Sequence, residues 1–356
     1  MTDEIATTRS QLGGLRYLVL RGSRRAAFRA LGEQAAADIR EAIRGLPKMR
    51  ALRRYASSLH GAKHIEAVKA ATVHAHPDAV EDVSQMAAGA KVSADDLFLL
   101  NLRGDLGDLD ADGCTDIVYR TVHTVLGHNE DGDPLFKRRI TLLVLHLHDQ
   151  PPTATLWYPG LLPFNSFTIT PSLAWGIDHL PVGQPPVAPG RQFVARTLPT
   201  ATSLDGAVEF LRSHPSAGGF AYTIIELANS RTAVVEAAAG QFAAAELPQH
   251  TPTFSWHTNH ARQLSEDVAG PASESSLRRG ERLNTMQHDG SELSEDSLLK
   301  LLRSPWPHGV LQQGSATTLA TAIVNASTRA ITLTNDNTVP TTLQIADLFR
   351  CSAAPR

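Results

Sequence analysis

Asp112-Gly113-Cys114-Thr115-Asp116-Ile117-Val118-Tyr119 is the point where an aspartate-rich loop meets an alternating strand. Cys114 is one of two cysteines in 356 residues, and it stands at the mouth of that strand behind a glycine. A glycine-cysteine bond at such a junction can break itself. The thiol attacks the preceding carbonyl, fixed donors hold the oxyanion, and water hydrolyses the resulting ester. Glycine at 113 is expected to tolerate a strained backbone, having no Cβ. Cys114 would then be a new N-terminus carrying nucleophile and base on one residue. A free α-amine titrates at about 7.7–8.0, so it can accept the thiol proton near neutral pH. A side-chain amide such as Asn259 can donate to the tetrahedral intermediate. A carboxylate such as Asp131 can orient the amine.

Outward from this junction the chain changes character. Before it, Leu15 to Leu20 reads as a short strand, residues 24–45 as one helix, and further helices run to about 107. Ser93-Ala94-Asp95-Asp96 supplies an N-cap and acids in a first turn. After it, residues 114–126 and 137–148 are rich in Val, Ile, Thr and Leu. The Gly/Asp/Pro turn at 131–134 between them predicts a hairpin. Further strands are expected at 153–158, 173–178, 220–228, 232–237, 253–258, 319–326 and 329–334, and helices at 204–213 and 273–302. The Pro-rich stretches 181–189 and 303–308 read as loops. The pattern predicts an α/β architecture of stacked antiparallel sheets with helices outside.

Composition excludes several classes of function. A net charge of −3 offers no general attraction to nucleic acid or anionic membranes. No apolar run reaches the roughly 18 residues of a spanning helix, and no secretory signal is visible at the start. Two cysteines make no disulfide framework, so a reducing cytoplasm is the expected setting. Cys351, near the C-terminus, reads as incidental.

Some constellations are set aside. Asp108-x-Asp110-x-Asp112 imitates a calcium loop, but its twelfth position is Tyr119, where a bidentate glutamate is needed. His146-Leu147-His148-Asp149 offers two ligands on one strand face and no third nearby. Ser275, Ser276, Arg278, Arg279 and Arg282 read as a solvated helix face, although an arginine can bind a substrate carboxylate.

The ordered set of motifs resembles the penicillin acyltransferase (isopenicillin-N acyltransferase) family of self-cleaving N-terminal-nucleophile enzymes. The set runs from Asp112-Gly113-Cys114-Thr115 through Gly127-x-Asn129-x-Asp131, Trp175-Gly176-Ile177-Asp178 and Arg196 to Gly218-Gly219-Phe220-Ala221-Tyr222. It continues through Val234-Val235-Glu236 to Thr258-Asn259-His260 and covers about 114–335. The resemblance implies a four-layer αββα fold and cleavage between Gly113 and Cys114. The chain would become a helical segment, 1–113, and a catalytic domain, 114–356, that stay associated. It further implies a Cys114 nucleophile, an Asn259 oxyanion donor and Asp131 beside the new amine. Asn129, Trp175, Asp178, Tyr222, His257 and His260 are candidates for the pocket. Two residues depart from the family pattern: Gly132, where an aromatic is common, and Asp178, where asparagine is usual. Both positions lie near the expected pocket, so they bear on the substrate more than on the mechanism.

On this reading the chain is a cysteine enzyme that hydrolyses a linear amide of a small molecule or transfers its acyl group. Acyl transfer from a coenzyme A ester or another thioester to an amine, in a biosynthetic pathway, is the close alternative. No metal or resident cofactor is expected, and no nucleic-acid or membrane partner. The rivals are a metallohydrolase using His146 and His148, and a binding protein that has lost turnover.

Overall fold

The structure, a computed structural model, describes residues 5–107, 113–249, 251–288, 293–335 and 338–350. Cys351 and the aspartates at 108, 110 and 112 lie outside them. The chain opens with a hairpin, β1 (Ala6–Leu12) and β2 (Leu15–Gly22). Six helices follow: α1 (Arg24–Gln34), α2 (Ala36–Gly45), α3 (Pro47–Ala56), α4 (Leu59–Ala75), α5 (Pro77–Ala90) and α6 (Ala94–Leu100). The helix expected over 24–45 is two, broken at Ala35, whose φ of −110° and ψ of 16° are not helical. Ser93 caps α6 as its sequence predicts, accepting a hydrogen bond from the Asp96 amide.

The strands after Gly113 are β3 (Thr115–Arg120), β4 (Thr124–Gly132), β5 (Thr141–Leu147), β6 (Thr153–Trp157), β7 (Thr168–Ile169) and β8 (Leu173–Leu180). Helices α7 (Arg191–Thr197) and α8 (Leu204–Ser213) precede β9 (Gly219–Glu226), β10 (Thr232–Ala238), β11 (Gln241–Glu246) and β12 (Thr253–His257). The chain continues through α9 (Glu266–Ala269), α10 (Glu274–His288), α11 (Glu295–Arg303), β13 (Thr317–Asn325), β14 (Ala330–Thr334), β15 (Thr341–Gln344) and α12 (Ile345–Leu348). Two of these, α10 and α11, divide the single helix expected over 273–302.

Among the described residues the strands form a nine-stranded sheet, ordered β1-β2-β5-β6-β7-β8-β9-β10-β11, and a six-stranded sheet, ordered β12-β3-β4-β13-β14-β15. All pairings are antiparallel except β2 with β5. The hairpin expected across 131–134 does not form. The hairpin is β3–β4, turning at 121–123, and the chain then crosses from one sheet to the other to start β5.

The sheets pack face to face, with β3 and β4 against β8. Helix α1 covers β2 and β5, α8 covers β9 to β11, and on the far side α10 covers β12 while α11 covers β4 and β13. The result is a four-layer αββα sandwich. Residues 5–107 contribute to its core: β2 pairs with β5, and Phe28, Leu31, Met86 and Leu100 lie in one apolar cluster with Leu143, Trp157 and Phe193. No described helix is long and apolar enough to cross a membrane.

Candidate functional site

Cys114 sits at the head of β3 on the wall of a cavity of about 350 Å³. Leu46, Ile177, Phe220 and Ala316 give that cavity apolar surface; Lys48, Arg103, Arg191, Glu130, Asp131 and Asp133 give it charge. The thiol is buried, its Sγ 3.3 Å from Glu130 Oε1 and 3.9 Å from the Asp131 main-chain oxygen.

Alternation along β4 arranges the base of the site. Asn129 faces away, donating to the Leu302 carbonyl at 2.7 Å and accepting from Thr321 at 2.7 Å. His128 and Glu130 face the interior. The Glu130 carboxylate accepts from Tyr158 at 2.7 Å, from Ser166 and from His128 Nε2 at 3.0 Å. His128 Nδ1 lies 2.8 Å from Asp116. Burial alone would raise the Glu130 carboxyl; the His128 bond and charge, with the two hydroxyls, outweigh it and hold the group low. Burial would likewise strip the proton from His128, but Asp116 and its other partners keep its pKa well above the usual range. Burial, then the Glu130 charge, pushes the Cys114 thiol up. The resting site is therefore a neutral thiol against a carboxylate and an imidazolium.

The Asp131 side chain accepts from Thr318 at 2.6 Å and from Gln312 at 2.9 Å. Burial raises its pKa to about 6 despite the nearby Arg279 charge and these two donors. Asn259 follows β12 and is fully buried. Its Nδ2 donates to the His179 carbonyl at 3.1 Å, and its Oδ1 accepts from Arg279 at 2.6 Å. Arg279 also donates to the Cys114 carbonyl at 2.6 Å and to Thr115 Oγ1 at 2.7 Å.

These contacts give Gly113 a packing role. A Cβ there would stand 2.9 Å from Asn259 Nδ2. Glycine at 113 lets the Asn259 amide pack against the backbone at the bond before Cys114.

The structure brings Gly113, Cys114, Asp131 and Asn259 together, but not the expected pocket residues. Asn129, Trp175, Asp178, Tyr222, His257 and His260 line no part of the cavity beside Cys114. Asp178 points between the sheets, 3.4 Å from His257, which also lies 3.0 Å from Glu236. His260 bonds Ser276 at 2.8 Å. On β8 it is the neighbours Ile177 and His179 that reach the cavity. Arg279 is no solvated helix residue, being 4% exposed with Ser276 and Leu283 on the same inward stripe. Arg196 is structural, paired with Asp82 at 2.8 Å between the rings of Phe28 and Phe164.

His128 and Glu130 carried a signal that went unread: they are the intervening positions of Gly127-x-Asn129-x-Asp131, and strand alternation turns them to the opposite face. Arg279 and Gln312 carried none. His146 and His148 gather no third donor among the described residues. The one His, Cys, Asp or Glu trio there with ligand atoms close enough for a metal is Cys114, His128 and Glu130.

The family model described as acyl-coenzyme A:6-aminopenicillanic acid acyl-transferase matches residues 120–339, more than half of the chain. The match begins just after Cys114. No curated protein matches. Among solved structures the chain is similar to a Caenorhabditis elegans N-acylethanolamine-hydrolyzing acid amidase ortholog. The two share 16% identity over 60% of this chain and 93% of that one, with a TM-score of 0.42. It is also similar to a mutant conjugated bile acid hydrolase from Clostridium perfringens: 10% identity, 65% and 92% covered, TM-score 0.42. With a match of that extent behind its buried cysteine and four-layer fold, the chain belongs to the acyl-coenzyme A:6-aminopenicillanic acid acyl-transferase family.

Proposed function

We infer that this chain is a self-processing cysteine enzyme that cleaves or forms a carbon–nitrogen bond outside peptides. One observation carries the reading: Gly113 and Cys114 lie on a substrate-sized cavity with the Asn259 amide packed against that glycine. Processing frees the Cys114 amine. The thiol then attacks an amide or thioester carbonyl, giving an S-acyl enzyme, and the amine carries the proton from sulfur to the leaving group. Asn259 donates to the oxyanion, and Asp131, 5% exposed, is the carboxylate assigned to orient the new amine. Water or an amine takes the acyl group.

Hydrolysis of a linear amide is the first reading. Acyl transfer from a thioester such as an acyl-coenzyme A is the second; Lys48 and Arg103, which share the cavity wall with Glu130, Asp131 and Asp133, are the cations that an anionic acyl carrier would meet. Mass spectrometry under denaturing conditions tests both halves. The protein should appear as 1–113 and 114–356, and the larger piece should gain one acyl group on brief mixing with an activated ester. A full-length mass after prolonged incubation would remove self-processing. Adding amines to the acyl-enzyme then separates transfer from hydrolysis.

A further inference from the structure

We propose that Glu130 is the base that activates Cys114 to cut the bond before it, and that Gln312 stabilises the charge formed on the Gly113 oxygen. This rests on the self-processing reading above. In the uncut chain the Cys114 nitrogen is an amide and has no basicity, so the amine that serves turnover does not yet exist. Another group must take the thiol proton. The Glu130 carboxylate is that group, with Oε1 3.3 Å from Sγ.

The carboxylate is held for the task. Tyr158, Ser166 and His128 fix it, and Asp116 fixes His128 from behind. Asp116 is a positioning residue, because it touches no reacting atom, whereas His128 hydrogen-bonds both the Glu130 carboxylate and the Cys114 thiol. Their effect is to keep Glu130 charged at neutral pH inside a buried site. Gln312 Nε2 donates to the Gly113 oxygen at 2.8 Å and to Asp131 Oδ2 at 2.9 Å. Both partners are acceptors, so they fix which end of the amide faces the scissile carbonyl.

The chemistry balances without an outside reagent except water. Sulfur bonds to the Gly113 carbonyl carbon as its proton passes to Glu130, and the carbonyl electrons move to the oxygen facing Gln312. The carbon–nitrogen bond breaks as the proton returns to the departing Cys114 nitrogen. Water then cleaves the Gly113 thioester, leaving a Gly113 carboxylate, a free thiol and a free amine. Glu130 thus serves the first cut, and the amine it releases serves every later turnover.

The test is a time course of cleavage of freshly translated full-length chain, followed by mass. Glu130→Gln should slow cleavage by at least about 10²-fold. Gln312→Ala should slow it by roughly 10²–10³-fold, with thermal melts recorded for each variant. Formate should restore cleavage to Glu130→Ala, since the position opens on the cavity and a purely structural carboxylate would not be replaced by a small acid. The ionisable groups facing Glu130 are His128 and Asp131 on β4, Cys114 and Asp116 at β3, and Tyr158 after β6, with Arg103 over the Tyr158 ring.

If the Glu130 variants do not melt cooperatively, the unaltered chain decides. With Glu130 as base, its cleavage rate should be flat from about pH 7 to about 8.5. Attack by preformed thiolate of raised pKa would climb about tenfold per pH unit. Wild-type chain that never cleaves overturns the self-processing reading. Wild-type cleavage matched by Glu130→Gln, or a tenfold climb per unit, overturns the role of Glu130 alone.

Discussion

Asn259 has two competing explanations, and their magnitudes differ. As an oxyanion donor its amide is worth most when charge develops, so Asn259→Ala should lower kcat by roughly 10²–10³, about 2.7–4 kcal/mol, with less change in KM. As a loop-capping group it should cost about 1 kcal/mol of stability and leave kcat unchanged. Melts and kinetics on one preparation separate the two. The close packing of Nδ2 on Gly113 and the Arg279 bond that orients Oδ1 favour the first. At this scale the sequence was partly legible. Cys114, Asp131 and Asn259 stood out by residue type and order. Glu130 and His128 were visible as strand neighbours but had no assigned role. Arg279 lies 165 residues from Cys114, on a helix whose charged residues look alike until packing selects one.

Packing of single elements decides what those residues do. Helix α10 lies on β12, where a Cβ at Gly280 would meet the Trp256 ring at 2.7 Å. Gly280→Ala gains about 1 kcal/mol of helix propensity but overpacks the contact by typically 1–3 kcal/mol. The net outcome should be a lowered melting temperature. Because the helix carries Arg279, kcat should fall as well, and denaturant melts with kinetics check both. His76 joins α4 to α5 with 5% exposure, and burial, helped by His214, lowers its pKa from about 6.5 to about 4. The native state thus resists a proton that the unfolded chain accepts. The penalty is absent above about pH 6.5, grows as pH falls, and is complete near pH 4, at most about 3 kcal/mol. His76→Gln should therefore show a relative gain in stability that appears only below about pH 6.5, read as the difference in denaturant midpoint from wild type at neutral and acid pH.

For the whole molecule, the bond before Cys114 divides the sequence but not the core. Strands β1 and β2 extend the nine-stranded sheet, and α1 to α6 share an apolar cluster with residues that follow Cys114. Burial of that extent, at about 25 cal/mol per Å², cannot be given up when one peptide bond breaks. After processing, the two pieces should elute together on size exclusion and separate only in denaturant. Elution of 114–356 alone under native conditions would contradict this.

The sequence by itself determined the strand-to-loop junction at Cys114, the positions of most later strands, the α8 helix and the order of the family motifs. Each of these depends on residues near one another in the chain: alternation, capping and turn chemistry. Tertiary structure decided the rest, because it depends on which distant surfaces meet. The parallel pairing of β2 with β5 replaced an expected local hairpin. Sheet stacking turned Asp178 and His257 into an interior pair, while Trp175 and Tyr222, on the same face as Ile177, lie outside the cavity lining. Side chains from β4, α10 and the segment before β13 converged on one sulfur and the two carbonyls beside it, at distances in space that no spacing along the chain encodes.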